Sequence, residues 1–212
     1  ATLPGNHAYE AGDLGVHAFD VTLKTTGEQS ITATGDTKTG SQTAITVTAA
    51  VLNHFHWAVI GTQTAGAAFT VTITAHDAYN NVTTRDTDGS SFTNSESVTF
   101  SSTATAAPDT TVPTYNADDL TDGTTLNVDL STGSFTTSDI ILYDAGETPT
   151  VTITHDAMTG VSSAITVLPA VIDHFTVTGM DDPIVAGTLD SITVTAFDEY
   201  DNVKTNYTGT VA

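Results

Sequence analysis

Cysteine is absent from the 212 residues, so neither disulfides nor thiolate-bound metals hold this chain together. Basic side chains are nearly absent too. Lys24, Lys38, Arg85 and Lys204 stand against 25 acidic residues, giving a formal charge of −21. Such a surface repels phosphate backbones and anionic headgroups, which excludes nucleic acid as a partner and attracts divalent cations instead. No run approaches the roughly 18 apolar residues of a membrane span, so membrane insertion is not expected. Helix formers such as Leu, Lys, Arg, Gln and Glu are scarce. The first residue is Ala1 rather than Met, with no basic, apolar leader before it. That fits a mature secreted chain or an excised fragment, and an extracellular or cell-surface location.

What is abundant is β-branched. Thr makes up roughly a fifth of the chain, with Val, Ile, Ala, Ser and Gly close behind, a composition suited to pleated, half-exposed surfaces. SITATGDT, AITVTAA, FTVTITAHD, SVTFSS, TLNVDLS, TVTITHD, AITVLPA and SITVTAFD alternate or run apolar over short stretches, punctuated by Gly, Asn, Asp and Pro. The expected fold class is therefore all-β.

The chain also repeats itself. TAITVTAAVLNHF (43–55) matches SAITVLPAVIDHF (163–175), and DTKTG (36–40) matches DAMTG (156–160), both at a spacing of 120. DVTLKTTGE (20–28) pairs with DIILYDAGE (139–147) at 119, and AHDAYNNV (75–82) with AFDEYDNV (196–203) at 121. These words, with HFTVTG and AGTLDSITVTAFDEYDNVKTNYTGTV, resemble bacterial immunoglobulin-like repeats of the invasin and filamin type. The resemblance covers essentially the whole chain and implies tandem β-sandwiches in a large surface or secreted protein. Its words speak for a fold and say little about activity. In the frame of such a repeat, residues 51–172 form one complete sandwich, enlarged by an insert near 106–123. Residues 1–50 supply the closing strands of a second sandwich and residues 173–212 its opening strands.

Neither half offers a core able to offset its ordering entropy alone. The first and last strands of a sandwich lie at opposite ends, some 35–40 Å apart for strands of about ten residues. The linkers TAAVLN and LPAVID reach only about 20 Å. The expectation is that residues 173–212 of one chain meet residues 1–50 of the next, head to tail, in an open fibre. Its intersubunit core would comprise Phe19, Val21, Leu23, Ile31, Ile45, Phe175, Ile192 and Val194. Val51, Leu52, Val171 and Ile172 would pack at the domain boundaries. A homopolymer of this kind is a structural subunit of an extracellular filament, reaching glycans or other cells through the assembled fibre. The alternative is a window from the tandem-repeat stalk of a giant adhesin or multidomain secreted protein. A carbohydrate-binding module would need exposed aromatics, and Trp57 lies among buried-looking residues.

No G-x-S-x-G elbow, HExxH or phosphate loop is present, and no enzyme activity is expected. No cofactor is required. Asp77 and Asn81, with their repeat-related Asp198 and Asp201, place carboxylate and amide oxygens on turns, a pattern open to calcium or to plain turn chemistry. Asp86 and Asp88 in RDTDG partly resemble a calcium loop, but its twelfth-position Glu is displaced. His54 and His56 share one strand face, though Thr176 replaces the second in the repeat. His76–Asp77 and His155–Asp156 read as strand neighbours pointing to opposite faces. The sequons at Asn81 and Asn206 are candidate glycan sites.

Overall fold

The computed structural model describes residues 1–212, and the chain is essentially all-β. The strands in order are β1 (Gly27–Gly35), β2 (Lys38–Val47), β3 (His54–Trp57), β4 (Gln63–Thr64), β5 (Phe69–His76), β6 (Glu96–Ser102), β7 (Thr114–Tyr115) and β8 (Asp118–Asp119). Then come β9 (Thr124–Val128), β10 (Ser134–Ile141), β11 (Val151–His155), β12 (Met158–Val161), β13 (Val167–Leu168), β14 (Ile172–Thr178) and β15 (Thr193–Asp198). A single 3-10 turn, Ala11–Asp13, is the only helical element. Period-2 patterning decides burial. In β5, Phe69, Val71, Ile73 and Ala75 are buried while the threonines between them face outward.

Several small sheets result. A five-stranded antiparallel sheet runs β3-β5-β10-β7-β8 and a four-stranded one β12-β11-β6-β9. The insert near 106–123 contributes the short hairpin β7–β8 to the edge of the first. The two-residue strands β4 and β13 pair in parallel. Both larger sheets feed one core of 24 buried residues, all between Leu52 and Ala170. Phe55, Ile73 and Ile140 come from one sheet, and Phe100, Val151 and Ile153 from the other. Each such side chain contributes about 1.5–3 kcal/mol on burial. The sheets close on each other along β3 and β12, where the Trp57 indole donates to the Gly160 carbonyl at 2.9 Å. Trp57 is buried there, so it offers no exposed binding platform.

The flanking segments are different. β1–β2 and β14–β15 are isolated two-stranded hairpins. No strand pairing or backbone hydrogen bond joins residues 1–50 to residues 173–212. Outside Leu52–Ala170 only Asp198 and Asn202 are buried. Each hairpin nevertheless keeps the register of its counterpart in the middle unit. Ala33↔Gly40 and Thr34↔Thr39 repeat Ile153↔Gly160 and Thr154↔Thr159, while Phe175↔Ala196 and Val177↔Val194 repeat Phe55↔Ala75 and Trp57↔Ile73. The expected boundary packing holds only in part. Leu52 is buried and Ile172 half-buried, whereas Val51 and Val171 are exposed, because the junctions are joined by polar groups rather than by these side chains.

Gly160 is the tightest point of the core. A Cβ there would collide with the carbonyl oxygen of Phe55 across the β3–β12 contact. Gly160→Ala is therefore expected to destabilise the fold by about 1–3 kcal/mol through overpacking. Urea unfolding of the two proteins checks this; equal midpoints would mean that β3 and β12 are not in such close contact.

Candidate functional site

The polar words of the repeat build two junctions. β5 delivers Asp77 to a tight turn in which Asn80 takes a positive φ of 63°, tolerated by Asn better than by most residues. One carboxylate oxygen of Asp77 accepts from the backbone N–H groups of Tyr79 at 2.8 Å and Asn81 at 2.9 Å. The other accepts from Ala50 N–H at 3.0 Å, reaching across the linker to the end of the N-terminal segment. The Asn81 amide NH2 donates to this carboxylate and to the Lys24 carbonyl at 2.8 Å. Its oxygen accepts from Thr26 N–H at 3.2 Å. The Thr83 hydroxyl donates to the Ala50 carbonyl at 2.6 Å.

About 120 residues on, the same set recurs, as a repeat of matching backbone demands. Asp198 accepts from Tyr200 N–H at 3.0 Å, Asn202 N–H at 3.0 Å and Ala170 N–H at 2.8 Å. The Asn202 amide donates to the Tyr143 carbonyl at 2.8 Å and accepts from Ala145 N–H at 2.8 Å. The ring contacts correspond as well. Lys24 lies 5.3 Å over the Tyr79 ring, and Tyr143 meets Tyr200 edge-on at 4.9 Å. Burial, followed by the neighbouring Glu199 carboxylate, pushes the Tyr200 phenol up to about 12. At the position of Thr83 stands Lys204, whose ammonium donates to the Pro169 carbonyl at 3.1 Å.

This geometry bears on the turn residues singled out from the sequence. Asp77 and Asn81 are brought together, as are Asp198 and Asn202, but their oxygens are engaged by N–H donors. Asp201 is exposed and lies 3.6 Å from His174 Nε2. The Asn81 amide nitrogen, where a glycan would attach, is held in hydrogen bonds, and its sequon partner Thr83 is fully buried. Asn206 is exposed.

Two other clusters have the composition and closeness to chelate a divalent ion: His7, Asp13 and His17, and Asp86, His155 and Asp156. In each, one ligand atom per residue lies within 4.8 Å of the others. His155 and Asp156 do not point apart as strand neighbours would. Asp156 leaves the strand at a φ of 52°, in the tight turn between β11 and β12, and swings toward the same side. Asp86, whose sequence neighbour Asp88 suggested a calcium loop, instead meets His155 from a loop 69 residues away. Burial alone would lower the His155 pKa, but the Ser97 carbonyl and the Asp86 carboxylate outweigh it and raise it. The first cluster has a fainter sequence signal, two histidines placed symmetrically about the turn EAGD. His54 and His56 do share a face, and β5 adds His76, with ring centroids 5.4 Å from each. Burial and then these two neighbours lower the His76 pKa.

No protein-family model matches the chain, and no curated protein matches it.

Burial pulls the Asp77 pKa upward, but the hydrogen bonds from Asn81, Ala50 and Tyr79 together set it below the ordinary 3.8. A depressed carboxyl contributes stability that is fully present above its unfolded value and is lost as pH falls through the folded one. Asp77→Asn is expected to cost about 2–3 kcal/mol at neutral pH, since it removes a charged acceptor from buried donors. That gap should narrow below pH 3.8, where the carboxyl of the unfolded parent chain protonates while the folded one still resists. Thermal midpoints of both proteins between pH 7 and pH 2.5 check it; a constant gap would remove the charge from the account.

Proposed function

We propose that the chain is a structural subunit of an extracellular fibre built from immunoglobulin-like sandwiches. Residues 173–212 of one copy and residues 1–50 of the next would form one such sandwich, so copies join head to tail. The middle unit, 51–172, supports this reading as a template for the composite one. In it, the segments equivalent to residues 174–203 and 20–50, namely 54–82 and 139–170, already pack together. Of the eight side chains expected in the intersubunit core, seven have deeply buried counterparts. Phe175 corresponds to Phe55, Ile192 to Val71 and Val194 to Ile73; Val21, Leu23, Ile31 and Ile45 correspond to Ile140, Leu142, Val151 and Ile165. The contrast in exposure is large: 41% for Phe175 against 4% for Phe55, and 52% for Ile192 against 4% for Val71. Phe19 is the exception, since it falls opposite the exposed Ser138 and the template gives it no core position.

On the C-terminal hairpin Phe175, Val177 and Val194 are exposed, while on the N-terminal one Ile31, Ile45 and Val47 are half-buried; a complementary half would cover both faces. A second copy carries that half in the matching register. The interface, a domain core divided between chains, would exceed about 2,000 Å² and belong to the obligate class. The adjoining repeats of one longer polypeptide would cover the same faces, which is the stalk reading. The two are told apart by the denatured mass of the native material, 21.9 kDa for a subunit and a multiple of it for a stalk.

Gly40 provides the test. It corresponds to Gly160, where a side chain would strike the Phe55 carbonyl, yet around Gly40 itself nothing lies within 4 Å. In the composite sandwich Gly40 of one copy would face the Phe175 backbone of another. Gly40→Val is expected to leave the unassembled chain folded, with an unchanged thermal midpoint, and to abolish its head-to-tail assembly. Sedimentation velocity over a concentration series reads this out. A parent chain that never assembles, or a variant that assembles as the parent does, would overturn the proposal.

A further inference from the structure

The cluster at Asp86, His155 and Asp156 lies in the middle unit and stands apart from the assembly reading. Its chemistry follows from the tautomer of one buried ring. His155 is held at the end of β11 with its side chain 8% exposed. Its Nδ1 lies 2.8 Å from the carbonyl oxygen of Ser97, which can only accept, so Nδ1 carries a hydrogen. In the neutral ring Nε2 is then a bare lone pair. It faces a carboxylate oxygen of Asp86 at 3.0 Å. Two acceptors at that distance repel unless a positive charge sits between them, either a second proton on the ring or a metal ion.

We propose that this charge is a divalent first-row metal ion of the zinc class, bound by His155 Nε2 and the carboxylates of Asp86 and Asp156. Tetrahedral bonds of about 2.0–2.1 Å set neighbouring donors roughly 3.3 Å apart, close to the separation already present between Nε2 and Asp86. Asp156 closes the site from the solvent side of the β11–β12 turn. Its second oxygen is oriented by the Thr87 hydroxyl, which donates to it at 2.7 Å, while Asp86 is oriented by Thr87 N–H at 2.6 Å. Outer hydrogen bonds of this kind fix ligands for a metal, as does the Ser97 carbonyl behind the ring. One imidazole with two carboxylates suits a borderline ion; calcium asks for six to eight oxygens and gains nothing from the ring.

The ion would tie two pieces of chain far apart in sequence. The loop that carries Asp86 is also the loop whose Arg85 carbonyl accepts from Leu52 N–H at 2.9 Å, beside the first junction. Binding would therefore brace that loop where the N-terminal segment docks. The composite unit has no equivalent site: Gly35, Asp36 and Tyr207 stand where His155, Asp156 and Asp86 stand here.

The test uses the full chain with His17→Ala, which removes a ligand from the other cluster, after treatment with chelator. Calorimetric titration with Zn2+ should give one ion per chain and a raised thermal midpoint. The His155 Nε2 resonance in 15N-labelled protein should move on Zn2+ addition. Adding Asp156→Asn should weaken binding at least tenfold while leaving the metal-free midpoint unchanged, because Asn accepts the same positive φ and can still receive the Thr87 hydroxyl. Absence of binding, with Nε2 protonated throughout, would reduce the cluster to an imidazolium–carboxylate pair and overturn the proposal. So would binding that Asp156→Asn leaves intact, which would place the ion at the surface histidines His54, His56 and His76. An equal response to Ca2+ would overturn the ion class.

Discussion

Two buried carboxylates, Asp77 and Asp198, are the points on which the chain's organisation depends. Each is almost fully withdrawn from water and compensated by backbone N–H groups that come from both sides of a linker. A carboxylate in that position is costly unless every donor is in place, so the turn, the linker and the preceding strand must adopt their arrangement together. The paired asparagines extend the same bonding to the neighbouring segment. Polar groups thus do at the junctions what apolar side chains do inside the middle unit.

Elsewhere the governing constraint is that a sheet with one apolar face must be covered. The middle unit satisfies it internally, with both larger sheets turned onto one core. The flanking hairpins have the same alternation and register but no facing sheet. On the C-terminal side the exposed Phe175, Val177, Ile192 and Val194 are the cost of that missing cover, whereas Ile31 and Ile45 of the N-terminal hairpin are half-buried.

Much of this was written in the sequence because it follows from local patterns. FTVTITAH alternates, and its apolar residues are buried; DTKTG and DAMTG match, and their hairpins share a register. Alternation with polar residues picked out seven side chains whose repeat counterparts fill the core of the middle unit. What sequence could not give was convergence across distance. Asp86 and His155 meet from separate loops, and Asp156 joins them only because its backbone takes a left-handed turn. Val51 and Val171 looked like packing residues, yet the bonds of Asp77 and Asp198 position the linkers and leave these side chains in solvent. Phe19 alternates with Val21 and Leu23 and so read as a core residue, yet its counterpart in the middle unit is the exposed Ser138.

The duplication of the junction has a geometric consequence. The same donors and acceptors fix the middle unit against the segment before it and the C-terminal hairpin against the middle unit. A joint remade with the same bonds repeats one rotation and one translation. Applied over and over, a fixed rotation with a fixed advance traces a screw axis, so the handedness and pitch of a long array would follow from the angles of its two kinds of joint. The exchange of Thr83 for Lys204 distinguishes alternate joints, and that pitch would therefore count in steps of two.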